Sequence, residues 1–254
     1  MLKQIPNLFT LLNLLFGCVA IIFILQTGET LVVIENGAWV PQLPEKIWWG
    51  SLLILLAAIV DFLDGFVARL FNATSAVGAQ LDSLADVVSF GVAPGLILYQ
   101  LLRISYSAQE DGLDVSLWAL SPALLFPAAA AWRLARFNSE SIEANGFNGM
   151  PSPAAGLFVA SLPVIIFYNY FNIATLIVNK WVLYAIITIV SYLMVSRIPF
   201  IAMKFSGGRM KDHLPKIILA VIALIAALFL GWLAVPVVFV AYIAISIATK
   251  NKTN

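Results

Sequence analysis

The chain is dominated by a succession of apolar runs, each about twenty residues long, which is the length needed to cross a bilayer as a helix. Eight runs lie near residues 6–26, 47–71, 80–103, 116–137, 153–172, 177–199, 214–231 and 233–249. The composition agrees: 62% of residues are hydrophobic, 11% are charged, and the mean hydropathy is +0.98. A soluble domain carries about 45–50% apolar and about 25% charged residues. The fold class that follows is all-α, a polytopic integral membrane bundle of about eight transmembrane helices. The last two runs are separated by a very short link and read as a helical hairpin. No long linker, repeat or low-complexity tract divides residues 1–254, so a single membrane domain is expected. The N-terminal run is read as the first span, because no small-x-small cleavage site follows it.

Lys and Arg set the orientation. With the N-terminus in the cytoplasm and eight alternating spans, the inner set is Lys3, Arg69, Arg133, Arg136, Arg197, Lys204, Arg209, Lys211, Lys216, Lys250 and Lys252. The outer set is only Lys46, Arg103 and Lys180. Both termini are therefore expected on the cytoplasmic face of the cell membrane. The most basic loop, "FSGGRMKDHLP", suits a topology signal or contact with anionic headgroups. A net charge of +1 gives no footing for a nucleic-acid partner. The one cysteine, Cys18, excludes an internal disulfide, and the one histidine, His213, argues against a histidine-based metal site.

Against this background residues 61–86, "DFLDGFVARLFNATSAVGAQLDSLAD", carry four aspartates: Asp61, Asp64, Asp82 and Asp86. An aspartate at mid-membrane costs roughly 2.5–3.5 kcal/mol, so four uncompensated ones would cost on the order of 10–14 kcal/mol. Arg69 alone cannot neutralise them. Shared protons are one compensation. A divalent cation is the more economical one, since carboxylate oxygens suit magnesium, calcium or manganese. At about 100° per residue, Asp61, Asp64, Gly65, Ala68 and Arg69 fall in one sector of the second helix, and Gly78, Asp82 and Asp86 lie along one face of the third. The short polar link "NATSAVG" would bring these faces opposite each other. Its Asn72-Ala73-Thr74 sequon is discounted, being cytoplasmic and close to the membrane.

Small residues share those faces. Gly65, Ala68 and Gly78 serve close helix packing or leave room for a ligand. Arg69 has a fork suited to phosphate, or it snorkels or pairs with Asp64. Carboxylates able to bridge metal, set beside a phosphate-binding arginine, fit chemistry on a diphosphate.

The pattern Asp61-x2-Asp64-Gly65-x2-Ala68-Arg69-x8-Gly78-x3-Asp82-x3-Asp86 resembles, at all eight defined positions, the signature of the CDP-alcohol phosphatidyltransferases. "IPNLFTLLNLLFGCVAI", "DSLADVVSFGVAPG", "RLARFN" and "GMPSPAA" look like its phosphatidylserine synthase branch. The similarity covers roughly residues 4–200. Residues 201–254, a basic loop and a hairpin, exceed the six-helix core of that family. The resemblance implies a membrane-embedded homodimer with two divalent cations (Mg2+ or Mn2+, with Ca2+ a further choice). It implies transfer of a phosphatidyl group from CDP-diacylglycerol to L-serine, with release of CMP.

By that resemblance Asp61, Asp64 and Asp82 hold one cation, Asp86 stands at the second metal position, and Asp86 is the candidate general base. Asp64, Gly65, Ala68, Arg69, Gly78 and Asp82 are the implied CDP-binding residues. The serine carboxylate needs a cation or a helix N-terminus. Arg133 and Arg136, three apart, serve that need or anchor the span as positive-inside residues. Asn7 and Asn13 contact nucleotide or substrate, or bond between helices. Pro151 and Pro153 start the fifth helix or line the pocket. Glycerol phosphate or inositol phosphate is the alternative acceptor. A cation-coupled transporter also uses intramembrane acids, but no repeat is present of the kind such folds often show. Intramembrane prenyltransferases carry their two acidic motifs on helices far apart in sequence, whereas both lie within 26 residues here. A purely structural role leaves the acids unexplained.

Overall fold

The first helix, α1 (Ile5–Leu25), packs along α2 (Ile47–Leu70), and the bundle grows from that pair. The structure, a computed structural model, describes residues 5–26, 32–35, 38–41, 46–70, 75–107, 114–139, 147–201 and 210–250. Between α1 and α2 lies an antiparallel ladder of β1 (Val32–Glu35) and β2 (Ala38–Pro41). Then come α3 (Ala76–Asp86), a π-helical segment (Val87–Val92) and α4 (Ala93–Ser107), which run on as one continuous helical stretch. Next are α5 (Leu117–Leu120), a 3-10 turn (Ser121–Leu124), α6 (Leu125–Ser139), β3 (Phe147–Asn148) and α7 (Ser152–Tyr168). The chain continues through α8 (Ala174–Ile177), α9 (Lys180–Val195), β4 (Pro199–Phe200), α10 (Met210–Leu230) and α11 (Ala234–Lys250).

Among the described residues, five segments are long and apolar enough to span a bilayer: Pro6–Leu25, Ile47–Val67, Val77–Ser107, Leu117–Ser139 and Leu214–Thr249. The last of these reverses at Gly231, whose φ of 55° falls in the left-handed region open to glycine. It is therefore the expected hairpin, α10 packed on α11. α7 and α9, of 17 and 16 residues, are the shorter apolar helices. The chain is thus an all-α polytopic integral membrane protein, with two small ladders outside the helices. Where the helices differ from the apolar runs, polar residues set the ends. α7 stops at Tyr168 because Asn169 takes φ 41° as its C-cap. α9 starts at Lys180 because the Asn179 side chain accepts from the Trp181 amide. α3 starts at Ala76, earlier than hydropathy indicates, because Ser75 Oγ accepts the Gly78 amide at 3.0 Å. Pro151 and Pro153 do begin α7.

The stretch through α3 and α4 is the centre of the molecule, with 67% of its apolar window buried against 17% for the hairpin. Phe90, Ile97, Leu98, Leu101 and Leu102 are fully enclosed, facing Phe126 of α6 and Leu183 of α9. Close approach depends on absent side chains. A Cβ at Gly91 would stand 3.1 Å from Ala130, one at Gly95 2.8 Å from Pro127, and one at Gly156 3.1 Å from the Phe90 backbone.

Successive helices alternate between two ends. At one end Gln100 Nε2 donates to Ile24 O, the Tyr106 and Tyr184 hydroxyls meet at 2.8 Å, and Trp48 stacks near Phe167. At the other end β3 pairs with β4, Asn138 bonds to Ser83, and Arg136 reaches the C-terminus of α9. All four aspartates lie toward this second end. Cys18 is exposed on α1. The sequon and residues 205–209 of the basic loop fall outside the described residues, while residues 210–215 begin α10.

Candidate active site

α2 brings Asp61 and Asp64 in its last turns, and α3 brings Asp82 and Asp86 from the opposite direction. Asp61, Asp64 and Asp82 each offer a carboxylate oxygen, and these oxygens lie within 4.8 Å of one another. Asp86 is deeper, 7% exposed, and its carboxyl group neighbours that of Asp61. The two aspartate faces therefore close on each other as helical spacing indicates.

α1 forms a third wall. Thr10 Oγ1 donates to Asp64 Oδ2 at 3.0 Å, and Asn13 Nδ2 donates to Asp86 Oδ1 at 3.4 Å. Thr10 and Asn13 are three residues apart and so share a helix face. Ser89, from the π-helical segment, donates to Asn13 O at 3.0 Å and fixes this wall against the central stretch. Gly17 continues the stripe. A Cβ there would run into Ser89 Oγ.

The donor set suits a cation. All the converging atoms are hard carboxylate oxygens, the preference of magnesium, manganese and calcium. Asp82 Oδ1 is buried and has no hydrogen-bond partner among the described residues, as an oxygen reserved for a metal would be. The group Asp61, Asp64 and Asp82 could hold a metal ion.

The other sequence-derived candidates separate. Gly65 opens onto free space, with nothing within 4 Å of the position a Cβ would take. Gly78 instead meets α1: a Cβ there would lie 3.0 Å from Asn7 Oδ1 and from Ser75 Oγ. Ala68 and Arg69 belong to α2, and their side chains lie outside the described residues. The two arginines of α6 diverge. Arg133 is buried, faces Asp86, and donates from Nη1 to Ser152 Oγ at 2.9 Å, while its Nε has no partner among the described residues. Arg136 donates from Nη1 to Val195 O at 3.0 Å and from Nη2 to Ser196 O at 3.3 Å, capping α9. Arg133 thus belongs to the site, whereas Arg136 holds two carbonyls at the end of a neighbouring helix. Thr10, Ser89 and Ser152 join the site without having been singled out from sequence. Only Thr10 gave a signal, its three-residue spacing from Asn13.

A family profile described as CDP-alcohol phosphatidyltransferase matches residues 3–192. The chain is similar to the CDP-diacylglycerol–serine O-phosphatidyltransferase of Helicobacter pylori strain J99, at 38% identity over 156 residues, or 61% of this chain and 54% of that protein. It is 30% identical over 250 residues to the protein of that name from Mycobacterium bovis, spanning 95% of this chain and 76% of the relative. The corresponding Bacillus subtilis protein is 37% identical over 150 residues, 59% of this chain and 72% of the relative. The match thus spans little more than half of the Helicobacter protein. The match over residues 3–192, which include the four acids on two facing helices, marks the chain as belonging to the CDP-alcohol phosphatidyltransferase family.

Proposed function

We propose that the protein is a phosphatidylserine synthase, transferring the phosphatidyl group of CDP-diacylglycerol to the hydroxyl of L-serine and releasing CMP. The observation that carries this reading is the convergence of the Asp61, Asp64 and Asp82 oxygens within 4.8 Å, with Asp86 beside them, in a chain similar to proteins of that name. In this reading the serine oxygen bonds to the phosphorus that carries diacylglycerol, and the bond from that phosphorus to the CMP oxygen breaks. Asp86 takes the hydroxyl proton.

Asp61, Asp64 and Asp82 would hold one cation and Asp86 would contribute to a second, magnesium or manganese with calcium as the further choice. Bound there, divalent cations neutralise the diphosphate and stabilise the leaving CMP. Gly65 and Ala68 leave room for cytidine, Arg69 meets phosphate, and Thr10 and Asn13 hold Asp64 and Asp86 in place. Two buried atoms without partners, Arg133 Nε and Asn13 Oδ1, lie on residues that face Asp86. A donor and an acceptor in that position match the carboxylate and ammonium of an amino acid. Arg136 and Asn7 stand at the margin of this reading, the first as a helix cap and the second beside Gly78. The protein works as a homodimeric single domain in the cytoplasmic membrane, its termini and site toward the cytoplasm.

The test is one assay on the purified protein. CDP-diacylglycerol and manganese or magnesium are supplied with serine, glycerol 3-phosphate or inositol phosphate in turn, and CMP and the lipid product are measured. Phosphatidylserine formed only with serine is the expected outcome. Product only with a phosphorylated alcohol would replace serine as the acceptor, and turnover without divalent metal would overturn the site.

A further inference from the structure

The hairpin of α10 and α11 lies beyond the residues matched by the family profile, yet it is tied to the side of the site where Arg133 sits. Tyr242 and Ser246 are four residues apart on α11, hence on one face, and both are buried, 5% and 2% exposed. Between them they satisfy both backbone groups of Ile201. Tyr242 Oη donates to Ile201 O at 3.0 Å, and Ile201 N donates to Ser246 Oγ at 3.3 Å. The Tyr242 ring packs on Phe200 at 5.5 Å between centroids.

Ile201 directly follows β4, and from β4 the connection runs inward. Phe200 pairs with Phe147 and Pro199 with Asn148. The next residue, Gly149, has φ 85° and donates its amide to Ile198 O at 2.9 Å. A Cβ there would collide with Met194 O, so the turn is fixed against the end of α9. Met150 donates to Leu193 O at 3.0 Å. Two residues later Ser152 opens α7 and accepts from Arg133 Nη1. Every link in this series is a hydrogen bond, a ladder pairing or a step of one or two residues along the chain.

We propose that Tyr242 and Ser246 are positioning residues for the acceptor: through Ile201, the β3–β4 ladder and Ser152 they hold Arg133 at the distance the acceptor anion requires. This rests on the transferase reading, with Arg133 as the group that meets the acceptor. It gives the hairpin a role in acceptor affinity. The nucleotide side, built from α1, α2 and α3, has no link of this kind to α11 among the described contacts.

The experiment compares the full-length wild type with Tyr242→Phe/Ser246→Ala and with Ser246→Thr, each purified in lipid nanodiscs. CMP release is measured while serine and CDP-diacylglycerol are varied separately. The double variant should raise KM for serine about fivefold, the size of one or two lost neutral hydrogen bonds. KM for CDP-diacylglycerol and kcat should stay within twofold, and Ser246→Thr, which keeps its hydroxyl, should retain wild-type values. Equal rises in both KM values, or an unchanged KM for serine, would overturn the proposal. Hydrogen exchange supplies a readout that needs no turnover. In the double variant the Gly149 and Met150 amides should exchange about fivefold faster while those of α3 do not change, and unchanged exchange at Gly149 and Met150 would also overturn it. A wild type that makes no CMP with serine overturns the serine reading instead, and the exchange result then decides the linkage alone.

Discussion

A buried carboxylate oxygen has to be met by a donor or a cation, and the four acids divide on that rule. Asp64 and Asp86 are met by Thr10 and Asn13, while Asp82 Oδ1 is met by no group among the described residues. Replacing Thr10 by valine keeps the shape and removes the bond to Asp64. A hydrogen bond to a charged group is worth about 1.5–3 kcal/mol, so the manganese concentration for half-maximal CMP release should rise about tenfold or more; an unchanged value would show that Thr10 does not order the metal side. Asp86→Asn should lower CMP release by about 100-fold or more, the range of general-base catalysis, and near wild-type turnover would remove Asp86 from that role. The methyl of Gly65→Ala meets no neighbour among the described residues, so its thermal midpoint should match wild type while turnover falls at least about tenfold. Full activity would mean that cytidine does not use that space. The acids, Gly65 and Asn13 were legible in the sequence because charge and fixed spacing are visible there. Thr10 was not singled out, since its three-residue spacing from Asn13 was the one mark it carried in an apolar helix. Nor could spacing separate Arg133 from Arg136: three residues apart they share a face, and only the neighbouring helices decide which guanidinium meets Asp86 and which meets α9.

At the scale of elements, the π-helical segment Val87–Val92 stands between the acids of α3 and the buried face of α4. Such a segment carries one residue more per turn than the α-helix around it and commonly sits at functional sites. Inserting one alanine after Val88 should add one residue's rotation and turn Asp82 and Asp86 by about 100° relative to Ile97 and Leu101. Helix content by circular dichroism should be retained and CMP release should fall by about 100-fold, since small misplacements at a reacting centre have effects of that size. Retained turnover would show that the register across this segment is immaterial. Hydropathy located all eight runs and the hairpin, because exclusion from water acts over a whole window. It could not locate the π-helical segment, where apolar residues continue unbroken, or the ends at Asn169 and Asn179, which depend on single side chains turning back to the backbone.

For the whole molecule, alternating helices give two ends of opposite character, one ringed by Trp48, Trp49, Phe167 and Tyr168, the other holding the acids and both α6 arginines. On the proposed topology, argued from lysine and arginine, the second end faces the cytoplasm. In a Cys18→Ser background, Ser139→Cys should react with an impermeant maleimide only from the cytoplasmic side, and Trp118→Cys, at a position 86% exposed, only from the other; the reverse pattern would invert the orientation. Chain order adds a consequence in time. α1, α2 and α3 end at Asp86, so the elements proposed to face the nucleotide are synthesised first, Arg133 and Ser152 come later, and Tyr242 and Ser246 come almost last. At about 5–20 residues per second, the growing chain carries its four acids for several seconds before it owns the arginine, and for longer before that arginine is braced. On the proposed function, a nascent chain therefore owns its ion-holding acids well before the groups that choose an alcohol.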